Sequence, residues 1–207
     1  MRSIAVTMWI TLDGGVQGLG RPDEDTRGAF THGGWGTRYN DEVMGREMGK
    51  AMSKPGDMLF GRRTWQDFIT AWGQSTDGNP VTTRMNAATK YVVSKTLEDA
   101  NAWQNSILLR GDAVDTVAEL KAQSGKDLSI IGSASLVRSL HAAAMIDRYT
   151  LVICPVTLSS GERLFEGPAP MTELELTSSV VTTKGGDHRA VQPPPSYWRV
   201  NVTFSPT

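Results

Sequence analysis

The apolar run from Ile4 to Leu12 reads as a first strand, and it stops at Asp13-Gly14-Gly15. Val43, Met44, Met48, Ala51 and Met52 then recur at helical spacing after a cap at Asn40 or Asp41, and Pro55-Gly56 stops that helix. Asp57 to Phe60 is a short buried strand. Gly61 turns it into a helix bearing Trp65, Phe68, Ile69 and Trp72. Tyr91–Ser94 and Ser106–Leu109 are strand-like. Asp112 caps a helix with Val114, Val117, Ala118 and Leu120, closed by Gly125. Leu128–Ile131 is again a strand, running through Gly132-Ser133 into a helix with Leu136, Leu140 and Ala144 on one face. Tyr149–Val156, Leu174–Thr182 and Tyr197–Phe204 complete the strands. Strand and helix alternate first and strands follow alone. The expectation is an α/β, three-layer fold: a mixed, mostly parallel central sheet with flanking helices and antiparallel strands at the C-terminal edge.

Two stretches interrupt this pattern. Asp13 to about Tyr39 carries eight glycines, from Gly14 to Gly36, and reads as a functional lid or binding loop. Gly185 to Pro195, ending in three prolines, reads as an extended hairpin connection.

Composition narrows the function. The 207 residues hold 21 Lys+Arg against 22 Asp+Glu, so nothing favours a polyanion, and no nucleic-acid partner is expected. The chain is read as one domain over 1–207. A single cysteine, Cys154, excludes an internal disulfide and reads as an inert buried thiol. Three histidines, with no cluster, give no zinc site; His141 and His188 read as surface residues. The N-terminal run is too short and polar for a membrane span or signal peptide, so the cytoplasm is the expected location. The glycine fingerprints of the common nucleotide folds and the G-x-S-x-G elbow are missing.

What remains is three strand-to-turn junctions. Gly61-Arg62-Arg63-Thr64 opens a helix, whose free N–H groups and two arginines suit a phosphate or are plain surface. Ser94-Lys95-Thr96 follows a strand, as a phosphate site or an ordinary turn. Gly132-Ser133-Ala134-Ser135-Leu136 passes through small residues into a helix, where a ligand can approach the backbone. Ligands of open α/β sheets lie beyond the carboxyl ends of strands, and three such junctions together point to a nucleotide.

The same stretches, with Leu12-Asp13-Gly14, Lys90–Thr96, Ile146-Asp147-Arg148-Tyr149, Cys154-Pro155-Val156 and Ser160–Phe165, resemble the dihydrofolate reductase superfamily. The likeness is to the branch typified by the riboflavin-biosynthesis reductase (RibD C-terminal) domain, and it spans nearly the whole chain in order. It implies a sheet of about eight strands, NADPH as cofactor, and a homodimer formed through C-terminal strands. By motif, Gly61, Arg62, Arg63 and Thr64 would contact the phosphates, and Ser94, Lys95 and Thr96 would lie near the adenosine ribose and its 2′-phosphate. Gly132, Ser133, Ala134, Ser135 and Leu136 would line the pyrophosphate and nicotinamide. Two departures stand out. Ser133 replaces the second glycine of the folate enzymes, and their helix carboxylate aligns near Met44 or Gly45, with Glu42 and Glu47 nearby but not aligned.

Asp13 is the candidate catalytic carboxylate, or a turn aspartate. Trp35 is a candidate stacking surface for the substrate, or the loop's anchor; Glu47 is a second substrate-side carboxylate, or solvated. The leading expectation is an NADPH-dependent reductase of a small heterocycle or carbonyl. The alternative is a non-catalytic module that keeps the nucleotide site. A third reading, reduction of a phosphorylated riboflavin precursor, would use Arg21, Arg27 and Arg38.

Overall fold

A computed structural model describes residues 1–53, 56–73, 75 and 78–195. The expected strand Tyr197–Phe204 and Pro55 lie outside them. Among the described residues the elements are β1 (Ile4–Thr11), α1 (Glu42–Ser53), β2 (Asp57–Gly61), α2 (Arg62–Phe68), α3 (Pro80–Ala87), β3 (Lys90–Ser94), β4 (Ser106–Arg110), α4 (Ala113–Ala122), β5 (Leu128–Ile131), α5 (Ala134–Ala142), β6 (Arg148–Cys154), β7 (Glu175–Val181) and β8 (Asp187–Gln192). They form one eight-stranded sheet in the order β4-β3-β2-β5-β1-β6-β8-β7. The first six strands of that order run parallel, so their carboxyl ends share one edge. β8 and β7 are antiparallel. The α/β sandwich and its antiparallel edge are as the pattern predicts.

Burial alternates along β1 and divides the molecule into layers. Ile4, Val6, Met8 and Ile10 pack with Val117 and Leu120 of α4 and Leu136, Val137 and Leu140 of α5. The opposite face carries two separate clusters. One gathers Phe60, Trp65, Met85, Val92 and Trp103 over β2 and β3. The other gathers Phe30, Trp35, Met44, Val152 and Cys154 over β6. Between them Ala5, Thr7 and Ser129 of β1 and β5 stay half-buried. That strip separates the two clusters on this face of the sheet.

Three local expectations change. The stretch expected as a loop, Gly185–Pro195, contains β8; the hairpin turns earlier, where Thr182 Oγ1 accepts the Gly186 N–H at 2.9 Å. α3 was not legible as a helix from its apolar spacing, and it starts at a proline behind Asn79, whose side chain accepts the Val81 N–H. α4 ends at Ala122, before Gly125. That glycine instead leaves room for Arg2, since a Cβ there would stand 3.2 Å from the guanidinium carbon. Arg2 is buried and bonds Asp57 at 2.5 Å.

Candidate functional site

Two of the junctions are locked together. At the end of β5 both Gly132 (φ +77°) and Ser133 (φ +63°, ψ +55°) are left-handed, so serine holds the conformation a second glycine would adopt freely. Its hydroxyl accepts the Gly61 N–H at 2.9 Å, across 72 residues. A Cβ on Gly132 would come 3.0 Å from Thr64 Cγ2, so the two turns nest. Because Ser133 Oγ is used this way it does not cap α5, and the first-turn amides of Ala134, Ser135 and Leu136 remain open.

The third junction joins through a groove of about 570 Å³, lined by Arg62, Trp65, Gln66, Ile69, Thr96 and Leu97 among others. Ser94 is buried and its Oγ accepts from the Thr96 and Leu97 amides at 3.1 and 2.9 Å, which curls the loop. Lys95 is largely exposed and bonded to Asp112 at 2.9 Å. Arg63 is exposed, without a partner among the described residues, and Arg62 reaches only Gln66 at 3.4 Å. Trp65 anchors α2 by donating to Ser106 Oγ at 3.1 Å.

Asp13 is differently placed from a proton source. Its carboxylate accepts from the Thr11 hydroxyl at 2.6 Å and from the Leu158 and Ser159 amides, with Arg163 at 3.7 Å. The Thr11 hydroxyl first, and these amides after it, hold the carboxyl down to about 2. A group so firmly ionised ties the root of the glycine loop rather than giving up a proton at neutral pH.

The loop itself is packed. Trp35 is buried, and its indole N–H donates to the Gln17 carbonyl at 2.8 Å, so it anchors the loop instead of offering an open ring face. A Cβ on Gly33 would lie 2.2 Å from the Pro22 carbonyl oxygen, which explains that glycine. Arg27 is paired to Asp25 and to Glu162, while Arg21 lies 3.8 Å from Asp23 and Arg38 is exposed. The loop's far side comes near α2: the Asp67 carboxyl is pushed up by burial, with Glu24 and Asp25 adding to it.

On the other side α1 is fixed by Asp41. It accepts from the Met44 amide at 2.8 Å and from Thr183 Oγ1 and the Lys184 amide at the β7–β8 turn. These bonds, the Met44 one first, hold Asp41 down to about 2. Glu47 is half-buried and bonded to Lys50 at 2.6 Å, and that bond first, then the Lys50, His188 and Arg46 charges, hold it below the usual range. His188 is therefore no surface residue. It is buried in β8, and the 185–195 stretch hid it because no apolar alternation marks that strand. His141 is half-buried and bonds the Tyr149 hydroxyl at 2.7 Å. Cys154 is buried, its thiol pushed up to about 11 by burial, which keeps it inert. No helix among the described residues is long and apolar enough to cross a membrane, and no cluster there could hold a metal ion.

Comparison with known proteins places this architecture. A riboflavin-biosynthesis protein from Shewanella sp. PV-4 superposes with a TM-score of 0.65 at 16% identity, covering 93% of this chain and 99% of its own. A pyrimidine reductase-like protein from Corynebacterium diphtheriae gives 0.63 at 12% identity, over 93% and 92%. Dihydrofolate reductase from Enterococcus faecalis, complexed with NADP(H), gives 0.56 at 11% identity, over 92% and 96%. At such identities the likeness is one of fold. In sequence, the uncharacterized protein YyaP of Bacillus subtilis is 27% identical over 135 residues, 62% of this chain and 69% of that protein. The RibD C-terminal domain family matches residues 2–186, and the chain belongs to that family.

Proposed function

We propose that the protein is an NADPH-dependent reductase of a small heterocyclic or carbonyl substrate. The observation that carries this reading is the nesting of the β2 and β5 junctions, Gly61 on Ser133 and Thr64 on Gly132, beside a groove that brings Arg62 and Thr96 together. The reductase-type fold of the family supports it.

The donor set fits a dinucleotide. The open amides of α5 and its positive end suit a pyrophosphate, with Arg62 and Arg63 adding charge-assisted bonds. Thr96, which lines the same groove, and Lys95, beside it in the chain, suit a 2′-phosphate, which favours NADPH over NADH. The bound cofactor would supply the hydride; the protein supplies orientation and excludes water. The half-buried strip of Ala5, Thr7 and Ser129 would give the ring a place to lie. The glycine loop, rooted by Asp13 and anchored by Trp35, covers it. The proton reaches the product from solvent or a bound water, because Asp13 is held ionised. The chain acts as one unit and pairs as a homodimer through its C-terminal edge, a reading supported by β7, whose residues are exposed along nearly the whole strand.

Fluorescence titration tests the cofactor claim. NADPH is expected to quench the tryptophans and bind more tightly than NADH, followed by NADPH oxidation with a panel of ring and carbonyl acceptors. Binding without turnover on any acceptor would leave a nucleotide-binding module instead. No binding of either nucleotide would end the reading.

A further inference from the structure

The glycine loop and α5 lie on opposite faces of the sheet, and one segment touches both. Phe30 and Trp35 of the loop pack over β6, while Leu136, Val137 and Leu140 of α5 pack on the other face. Residues 158–166 follow the carboxyl end of β6. Toward the loop, the Glu162 carbonyl accepts the Val16 N–H and the Gly14 carbonyl accepts the Leu164 N–H, both at 2.9 Å. The Glu162 amide donates to Gln17 Oε1 at 3.0 Å. A Cβ on Gly161 would stand 2.8 Å from the Phe30 ring, so loop and segment nest. Toward the helix, Leu164 is fully buried in the cluster that holds α5.

Arg138 makes the polar part of that second contact. Its guanidinium donates to the Arg163 carbonyl at 2.7 Å and to Glu162 Oε2 at 3.2 Å, and pairs with Glu166 at 3.2 Å. Among the described residues no other side chain of α5 hydrogen-bonds this segment. Glu162 is gripped from the loop as well. Its other oxygen pairs with Arg27 at 3.1 Å, and Arg27 donates to Asp25 at 2.8 Å. Charges therefore alternate along Asp25, Arg27, Glu162, Arg138 and Glu166. The Arg138 and Glu162 side chains are 21 and 31% exposed, so water screens this pair less than one on open surface. A connected network also holds where an isolated surface pair contributes little. Arg138 stands one helical turn along from Ala134, where the first-turn amides of α5 are open.

We propose that Arg138 is a positioning residue: through Glu162 and Arg27 it couples nucleotide binding at the start of α5 to the order of the glycine loop on the other face of the sheet. The inference deepens the reductase reading above and rests on it. A phosphate seated on the first-turn amides bears on α5 as a rigid element, and the Arg138 fork moves with the helix. Because the fork holds the segment at 162, 163 and 166, the segment follows, and the loop follows through Glu162. Chains of hydrogen bonds and ion pairs between stiff elements carry coupling of this kind. Arginine suits the task, since its planar fork serves a carbonyl and two carboxylates at once. The coupling is reciprocal: an ordered loop strengthens nucleotide binding by the same factor.

The test uses the full chain, with NADPH as the probe and amide hydrogen exchange of residues 13–39 as the readout. Saturating NADPH is expected to slow exchange of the loop in the wild-type protein. In Arg138→Met that slowing is expected to vanish, and NADPH affinity to fall about fivefold, the low end of typical couplings. Arg138→Lys, which keeps the charge without the fork, is expected to recover part of both. Arg138→Met and Arg27→Met together are expected to bind NADPH no worse than either alone, because both act through Glu162. If Arg138→Met fails to fold, Glu162→Gln cuts the same chain and keeps the backbone bonds to Val16 and Gln17. A merely structural Arg138 would lower the unfolding midpoint and leave the NADPH effect on the loop intact; that result overturns the proposal. So do additive losses in the double variant, and so does NADPH binding to the wild type with no change in loop exchange. If the wild type binds no NADPH, the reductase reading itself falls and the coupling falls with it.

Discussion

The two clusters on the face of the sheet opposite α4 and α5 are flanked by segments built on opposite principles. On the β2–β3 side the chain makes its site from short local turns: Gly61 into α2, Ser94 into its curled loop, Gly132-Ser133 into α5. On the β6–β8 side local bonds, such as Thr11 to Asp13 and Met44 to Asp41, are completed by distant ones. Asp13 is satisfied by residues 158 and 159, Gln17 by 162, Asp41 by 183 and 184. The first side is a set of turns whose chemistry is written beside them; the second is a set of long-range bonds that position a loop and a helix. The lesson is that the β2–β3 half is shaped mainly by backbone conformation at its turns, and the β6–β8 half by hydrogen bonds between distant segments.

That contrast can be broken experimentally, most forcefully in the core. Trp103→Ala removes a buried ring that bonds Asn86 at 2.6 Å and covers the Lys90 ammonium, itself bonded to three carbonyls. It is expected to cost about 3–5 kcal/mol, read by urea unfolding, and to loosen the nucleotide side as a whole. Gly132→Ala should cost about 1–3 kcal/mol through left-handed strain and its 3.0 Å approach to Thr64, and should weaken NADPH binding as well. If NADPH affinity survived, the nested turns would not be the phosphate site. Arg62→Ala should lower NADPH affinity by about 1.5–3 kcal/mol, the range for a charge-assisted bond, with little change in unfolding midpoint. Lys95→Ala should act least, because that ammonium is two-thirds exposed and already shared with Asp112; only the preference for NADPH over NADH should narrow.

The other side responds to acid instead. Asp13 and Asp41 both titrate near 2 when folded, against 3.8 unfolded, so their stabilisation is complete above about pH 4 and is lost as pH falls toward 2. Asp13→Asn should flatten that acid limb in a pH series of thermal melts. The same variant should raise KM through a looser loop while the neutral pH profile of kcat keeps its shape. A lost titration near pH 7 would instead return Asp13 to the proton path.

Legibility in the sequence follows the same division. The six parallel strands, the carboxyl-end junctions and the Asp112 cap were readable because each rests on neighbours a few residues away. β8 was not, since Asp187, His188, Arg189 and Gln192 carry no apolar alternation and are held in the sheet by β6 and β7. His188 was lost with it. Trp35 and Asp13 were visible as candidates, but their roles were not. The burial of one and three of the four contacts of the other depend on segments elsewhere in the chain.

The order of strands also sets a timetable. β1 is synthesised first, yet both its neighbours, β5 and β6, come from the latter half of the chain. As the polypeptide leaves the ribosome, β2, β3 and β4 can assemble with one another while β1 waits unpaired. The sheet becomes continuous only when β5 slots between β2 and β1, joining an early-made half to a late-made one. Until that insertion the first strand stays exposed, and it is what a chaperone would have to shield.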